Sequence, residues 1–153
     1  MDAKIGDWVV TLRIGKTVEI NALWYNLLRT LAGFLAERSD TAAERYDTLA
    51  DQARDSFQRR FIRSDVEHLA DVVDGPDGDD WTLRPNQIFA VALPEPLLEG
   101  ADAKAVVDAV GSALLTSYGL RSLNPDHIAY RGDYGGDAFQ RDSGYHQGPG
   151  GPG

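Results

Sequence analysis

A chain of 153 residues can bury one sizeable core but not two. Hydrophobic residues make up 42% and charged residues 25%, the balance of a globular domain, and a formal net charge of −9 repels polyanions, so nucleic acid is not expected as a partner. Cysteine is absent, which excludes disulfides and thiolate metal ligands.

No apolar run approaches the ~20 residues a membrane span needs. The opening MDAKIGDWVV lacks the basic-then-apolar layout of a signal peptide, so a cytoplasmic location away from membranes is expected. Gly6 and Gly15 bracket a mixed segment, DWVVTLRIG, that reads as extended chain or loop. Residues 19–38 give the clearest helix. Ile20, Leu23, Trp24, Leu27, Leu28, Leu31, Phe34 and Leu35 form one broad apolar face, which puts Trp24 in the core and leaves Asn21 and Tyr25 off that face. A second helix runs from Thr41 to about Phe61. Thr41 and Glu44 match a capping box, and the short link at Ser39-Asp40 predicts a helical hairpin.

The acidic, Gly- and Pro-containing stretch at 71–85 reads as a loop, without the spacing of a calcium-binding loop. Pro85 suits the first turn of a third, buried helix that Pro94 and Pro96 stop. A fourth helix runs from about Ala101 to Leu115, with Asp102 as a plausible cap and Val106, Ala109, Val110, Ala113 and Leu114 facing inward. From Thr116 the chain reads as a long loop dense in Tyr, Arg, Asp and Gly, ending in a low-complexity tail at 149–153. Strong strand signals are lacking, so the fold class expected is all-α.

The chemistry of the motifs is more restrictive than their number. His68, His127 and His146 have no metal-ligand spacing, so no metal is expected; phosphate-loop and dinucleotide fingerprints are missing too, and no cofactor is expected. Sugar chemistry remains. Planar amides, arginines and carboxylates bind hydroxyls in pairs, aromatic faces cover the apolar side of a ring, and glycoside hydrolysis needs two carboxyl groups. Glu19 opens the first helix, where favourable interaction with the helix dipole would by itself account for an acid. Arg84-Pro85-Asn86-Gln87 sets three hydrogen-bonding side chains at a helix start that needs only one as a cap, which leans towards a site. Arg141-Asp142 and Tyr145-His146-Gln147 make another polar-aromatic cluster, which taken in isolation reads as surface loop.

Three blocks together, MDAKIGDWVVTLRIGKTVEINALWYN, LADVVDG with LRPNQIFAVALP, and YGLRSLNPDHIAYRGDYGGDAFQRDSGYHQG, resemble the C-terminal amylo-α-1,6-glucosidase domain of prokaryotic glycogen debranching enzymes. The resemblance runs to Gly148, in the family's block order. It implies a six-hairpin (α/α)6 toroid, of which this chain would be part, and hydrolysis of α-1,6-glucosidic branch stubs in glycogen or limit dextrin, an α-glucan partner. Within the Met-Asp-Ala block it implies that Asp2 is the general acid. It implies cleft positions for Glu19, Asn21, Trp24 and Tyr25 in the Val-Glu-Ile-Asn block, and for Arg84, Asn86, Gln87, Arg121, Asp142, Tyr145, His146 and Gln147 in the others. Thr17 stands where the family usually has Pro. The family continues past His-Gln-Gly into a segment that carries its general base, so 1–148 is expected to be a fragment of the domain, inactive alone. A non-catalytic α-glucan-binding or interaction module is the alternative, and another α-glucoside substrate a weaker one. The oligomeric state is left open.

Overall fold

The computed structural model describes residues 4–149. A small antiparallel hairpin, β1 (Lys4–Ile5) with β2 (Trp8–Val9), leads to β3 (Lys16–Thr17), which passes directly into α1 (Val18–Glu37). Thr17 is extended, Glu19 supplies an acid in the first turn of α1, and the Asn21 side-chain amide donates to the Thr17 carbonyl at 2.7 Å, so the helix start is held from within.

The face of α1 that packs is not the expected one. Val18, Ala22, Tyr25, Leu28 and Ala32 are buried, while Ile20, Leu23, Trp24, Leu27 and Phe34 are exposed. Tyr25 is 1% accessible and Trp24 is 51% accessible, the reverse of the periodicity reading. The helix is apolar on two sides, and periodicity cannot say which side meets the core. The side that does carries Ala22 and Ala32, whose small side chains let α2 (Ala43–Phe61) approach closely. α2 answers with Ala50, and with Phe57 and Phe61 stacked at 4.3 Å.

The helical hairpin is present and antiparallel: Arg29 of α1 pairs with Asp47 and Asp51 of α2, and Tyr25, nearer the start of α1, bonds to Arg54, farther along α2. The capping box expected at Thr41 and Glu44 does not form. The cap position is Ala42, whose amide donates to Asp40 Oδ1 at 2.9 Å, so an Asx turn starts the helix instead.

The all-α expectation is corrected at 71–85. That stretch is a hairpin of β4 (Val72–Gly75) and β5 (Gly78–Asp80), and β3 pairs with β4 to complete a three-stranded antiparallel sheet. Asp74 has φ +58°, an irregularity between the pairs Val72↔Asp80 and Gly75↔Gly78 that makes so short and acidic a strand look like loop in sequence. Gly15 has φ +133°, and a Cβ there would stand 2.7 Å from Val72 Cγ1 and from the Val73 carbonyl. Only glycine lets the chain enter β3 this close to β4.

Pro85 opens a 3-10 turn (Pro85–Ile88) that runs into the short α3 (Phe89–Ala92). α4 (Gly100–Leu114) buries Val106, Val110 and Leu114; Glu99 rather than Asp102 is its cap residue. The remaining chain is not all loop. β6 (Leu115–Thr116) and β7 (Gly119–Leu120) form a hairpin, and α5 (Ala138–Gln147) is a regular helix started by a capping box between Asp137 and Gln140. Among the described residues no helix is long and apolar enough to cross a membrane.

Candidate functional site

Four segments meet around a cavity of about 410 Å³: the N-terminal hairpin and its continuation, the first turn of α1, the start of the 3-10 turn, and α5. Its lining includes Arg13, Glu19, Arg84, Asn86, Asp142 and His146. Two contacts hold α5 against the N-terminal segment. Trp8 and Phe139 rings pack with centroids 3.9 Å apart, and Gln147 Nε2 donates to the Val10 carbonyl at 2.7 Å. Arg84 ties the third wall to the fourth: its Nη1 donates to the Ser122 carbonyl at 3.1 Å and to the His146 carbonyl at 3.2 Å.

Beneath the cavity lies an ion cluster. Arg13 donates through Nη1 and Nη2 to the two Glu19 oxygens at 2.6 and 2.7 Å, and through Nε and Nη2 to the two Asp71 oxygens at 2.7 and 2.8 Å. One guanidinium thus holds two carboxylates, each by a two-pronged bond, the strongest geometry this pair of groups has. Arg84 Nε stands 3.6 Å from Asp71 Oδ2 and makes no hydrogen bond.

Burial works against the charge on Arg13, but the bonds and attraction of Glu19 and Asp71 override it and raise its pKa. Burial would likewise raise Glu19, yet the hydrogen bond from Arg13 holds its carboxyl below the ordinary glutamate range. For Asp71 burial dominates and pushes the carboxyl up against the pull of Arg13 and Arg84. For Arg84 burial also wins, and its pKa is lowered.

Of the residues singled out in the sequence, five line this cavity: Glu19, Arg84, Asn86, Asp142 and His146. The others are placed elsewhere. Trp24 is on the exposed side of α1, and Tyr25 is in the core, its hydroxyl accepting from Arg29 and Arg54. Asn21 braces the start of α1. Gln87 is buried, accepting from the Leu69 amide at 3.1 Å and donating to the Arg84 carbonyl at 2.9 Å. Arg121 Nη1 donates to the Ala113 carbonyl near the end of α4. Tyr145 opens onto a neighbouring cavity of about 310 Å³ that shares Pro85, Ser122 and His146 with the first. Gln147 holds Val10. Asp2 lies outside the described residues.

Arg13 and Asp71 escaped the sequence reading. Arg13 is the one charge in VVTLRIG, and Asp71 stands between Ala70 and Val72 in LADVVDG; a charge set among apolar residues is the signal that marks a buried ion pair. A larger cavity of about 660 Å³ lies between residues 130–136 and α5, but its lining contains none of the candidate residues and no such ion cluster.

A sequence model of the family described as amylo-alpha-1,6-glucosidase matches residues 1–152. A comparison with curated proteins gave no match.

Proposed function

Because the chain belongs to the amylo-alpha-1,6-glucosidase family, we propose that it acts on α-1,6-glucosidic branch stubs of an α-glucan such as glycogen or limit dextrin, and that the cavity of about 410 Å³ receives the sugar. The observation that carries this reading is the convergence on one cavity of Glu19, Arg84, Asn86, Asp142 and His146, residues up to 127 positions apart that sequence alone singled out. Carboxylates, an amide, an imidazole and a guanidinium in one concavity suit a neutral polyol, which offers donors and acceptors but no charge. Asp2 is the proton donor in this reading, and residues 1–148 belong to the glucosidase domain. The α1–α2 hairpin is one pair of a toroid, and the apolar outer side of α1 is where a neighbouring hairpin packs.

Titration of the purified protein with a branched dextrin tests the site. Saturable binding is expected, and N86A and D142N are each expected to weaken it several-fold, as the loss of one hydrogen bond worth about 1 kcal/mol requires. Absence of saturable binding by the folded protein would refute the sugar site.

A second reading, glucan binding without hydrolysis, is favoured by Glu19 itself. Both of its oxygens accept from Arg13, which suits an acceptor fixed for sugar hydroxyls better than a carboxylate free to activate water. Glucose released from the branched dextrin separates the two readings: binding alone supports the second, and release that D2N abolishes supports the first.

A further inference from the structure

We propose that Arg13 and Asp71 are positioning residues of this cavity, holding Glu19 as a fixed acceptor for sugar hydroxyls. The inference rests on the reading of the cavity as a sugar site and extends it to two residues that the motifs did not mark.

Asp71 is fixed before its side chain makes any contact. Its amide donates to the Asp80 carbonyl at 2.8 Å, and its carbonyl accepts from the Val18 amide at 3.0 Å, so β5 grips it on one side and the first turn of α1 on the other. Its side chain is 1% accessible. Both carboxylate oxygens then fix the Arg13 guanidinium, and the remaining prongs of that guanidinium fix both oxygens of Glu19. Each Glu19 oxygen keeps lone-pair capacity after accepting from Arg13, and the residue faces the cavity. A carboxylate clamped this way meets a hydroxyl in one orientation, with the ordering cost already met in folding.

The charges also point to positioning. Lys4 on β1, Arg13 and Arg84 stand against Glu19, Asp142 on α5 and Asp71 beneath them, with His146 beside them on α5. Positive and negative groups balance, which suits an uncharged ligand. Burying such a cluster carries a desolvation cost that apolar side chains of the same volume would avoid, so stability alone is a poor account of it. Its place under a polar cavity is a better one.

The test has two independent arms. In the first, the carboxyl of Glu19 is titrated by carbon-13 NMR in the sugar-free protein, in wild type, D71N and R13K. In the second, each protein is titrated with maltoheptaose while its helical circular dichroism is checked. The expected result is that folded D71N and R13K both show Glu19 titrating closer to the ordinary glutamate range. Their affinity for maltoheptaose should fall about tenfold or more, the scale of a lost charge-assisted hydrogen bond. R13K keeps the charge but not the fork, so it repeats the loss if geometry is what matters. Unchanged Glu19 titration and unchanged affinity in the folded variants would overturn the proposal. Should D71N not fold, R13K decides by the same criteria. Should wild type bind no maltoheptaose, the sugar-site reading falls, and the titration arm alone decides whether Arg13 and Asp71 hold Glu19.

Discussion

Trp24 and Tyr25 are neighbours in sequence and opposites in energetic role. Tyr25 buries its ring under α2 and offers its hydroxyl to Arg29 and Arg54, and Arg54 Nε already lacks a partner. Tyr25→Phe removes the acceptor and keeps the ring, so a loss of about 1–2 kcal/mol in unfolding free energy is expected. Trp24→Ala on the exposed side should cost less than about 0.5 kcal/mol. Chemical denaturation of both variants checks the pair, and a larger cost at Trp24 would mean that the packed face of α1 has been misassigned. Glu19 sets a pH dependence with a definite sign. Its folded pKa is lowered, so its contribution to stability is fully present above the ordinary glutamate value of about 4.3 and is lost as pH falls from there through the folded value. Denaturation of wild type and E19Q across that range should show a gap that is widest near neutrality and closes in acid. A gap that widens in acid would contradict the lowered pKa.

Among the elements, α5 shows what sequence reveals and what it hides. Its start carried a legible signal, since Asp137 and Gln140 have capping-box spacing, yet Gly144, Tyr145 and Gly148 made the stretch read as loop. Those glycines are where this segment comes closest to residues 131–134. A Cβ at Gly144 would stand 2.6 Å from the Asp133 carbonyl, so α5 can lie on residues 131–134 only without one. Gly144→Ala is expected to lower the melting temperature at a cost of about 1–3 kcal/mol by lifting α5 from that seat, and to loosen the cavity as a result. An unchanged melting temperature would show that the seat can yield. The hairpin of α1 and α2 was legible because a long apolar periodicity and a short link fix the pairing of two helices. The face of α1 and the β3–β4–β5 sheet were not. Choosing a face depends on what packs against it, and strands of two to four residues are defined by partners far off in the chain. The candidate site was legible in part through the family blocks, which mark Glu19, Arg84, Asn86, Asp142 and His146, whereas Arg13 and Asp71 acquire meaning only through each other.

Over the whole molecule the outer side of α1 is the least settled surface. Ile20, Leu23, Trp24, Leu27 and Phe34 run along about four turns of helix, and no charged side chain interrupts them on that side. A continuous apolar stripe of this kind marks an interaction surface. The purified protein is therefore expected to bind a hydrophobic dye in its native state and to associate as its concentration rises. L27E combined with F34E should suppress both effects with little change in folding stability. A dye-silent wild type that stays monomeric at high concentration would contradict this.

The bond from Gln147 to Val10 spans 137 positions. Loop closure over such a distance comes late in a folding reaction, after helical hairpins such as α1–α2 have formed from near neighbours. The pocket is therefore incomplete until the two far segments of the polypeptide have found each other. In a refolding experiment ellipticity should return first, and the ability to take up oligosaccharide should lag behind it.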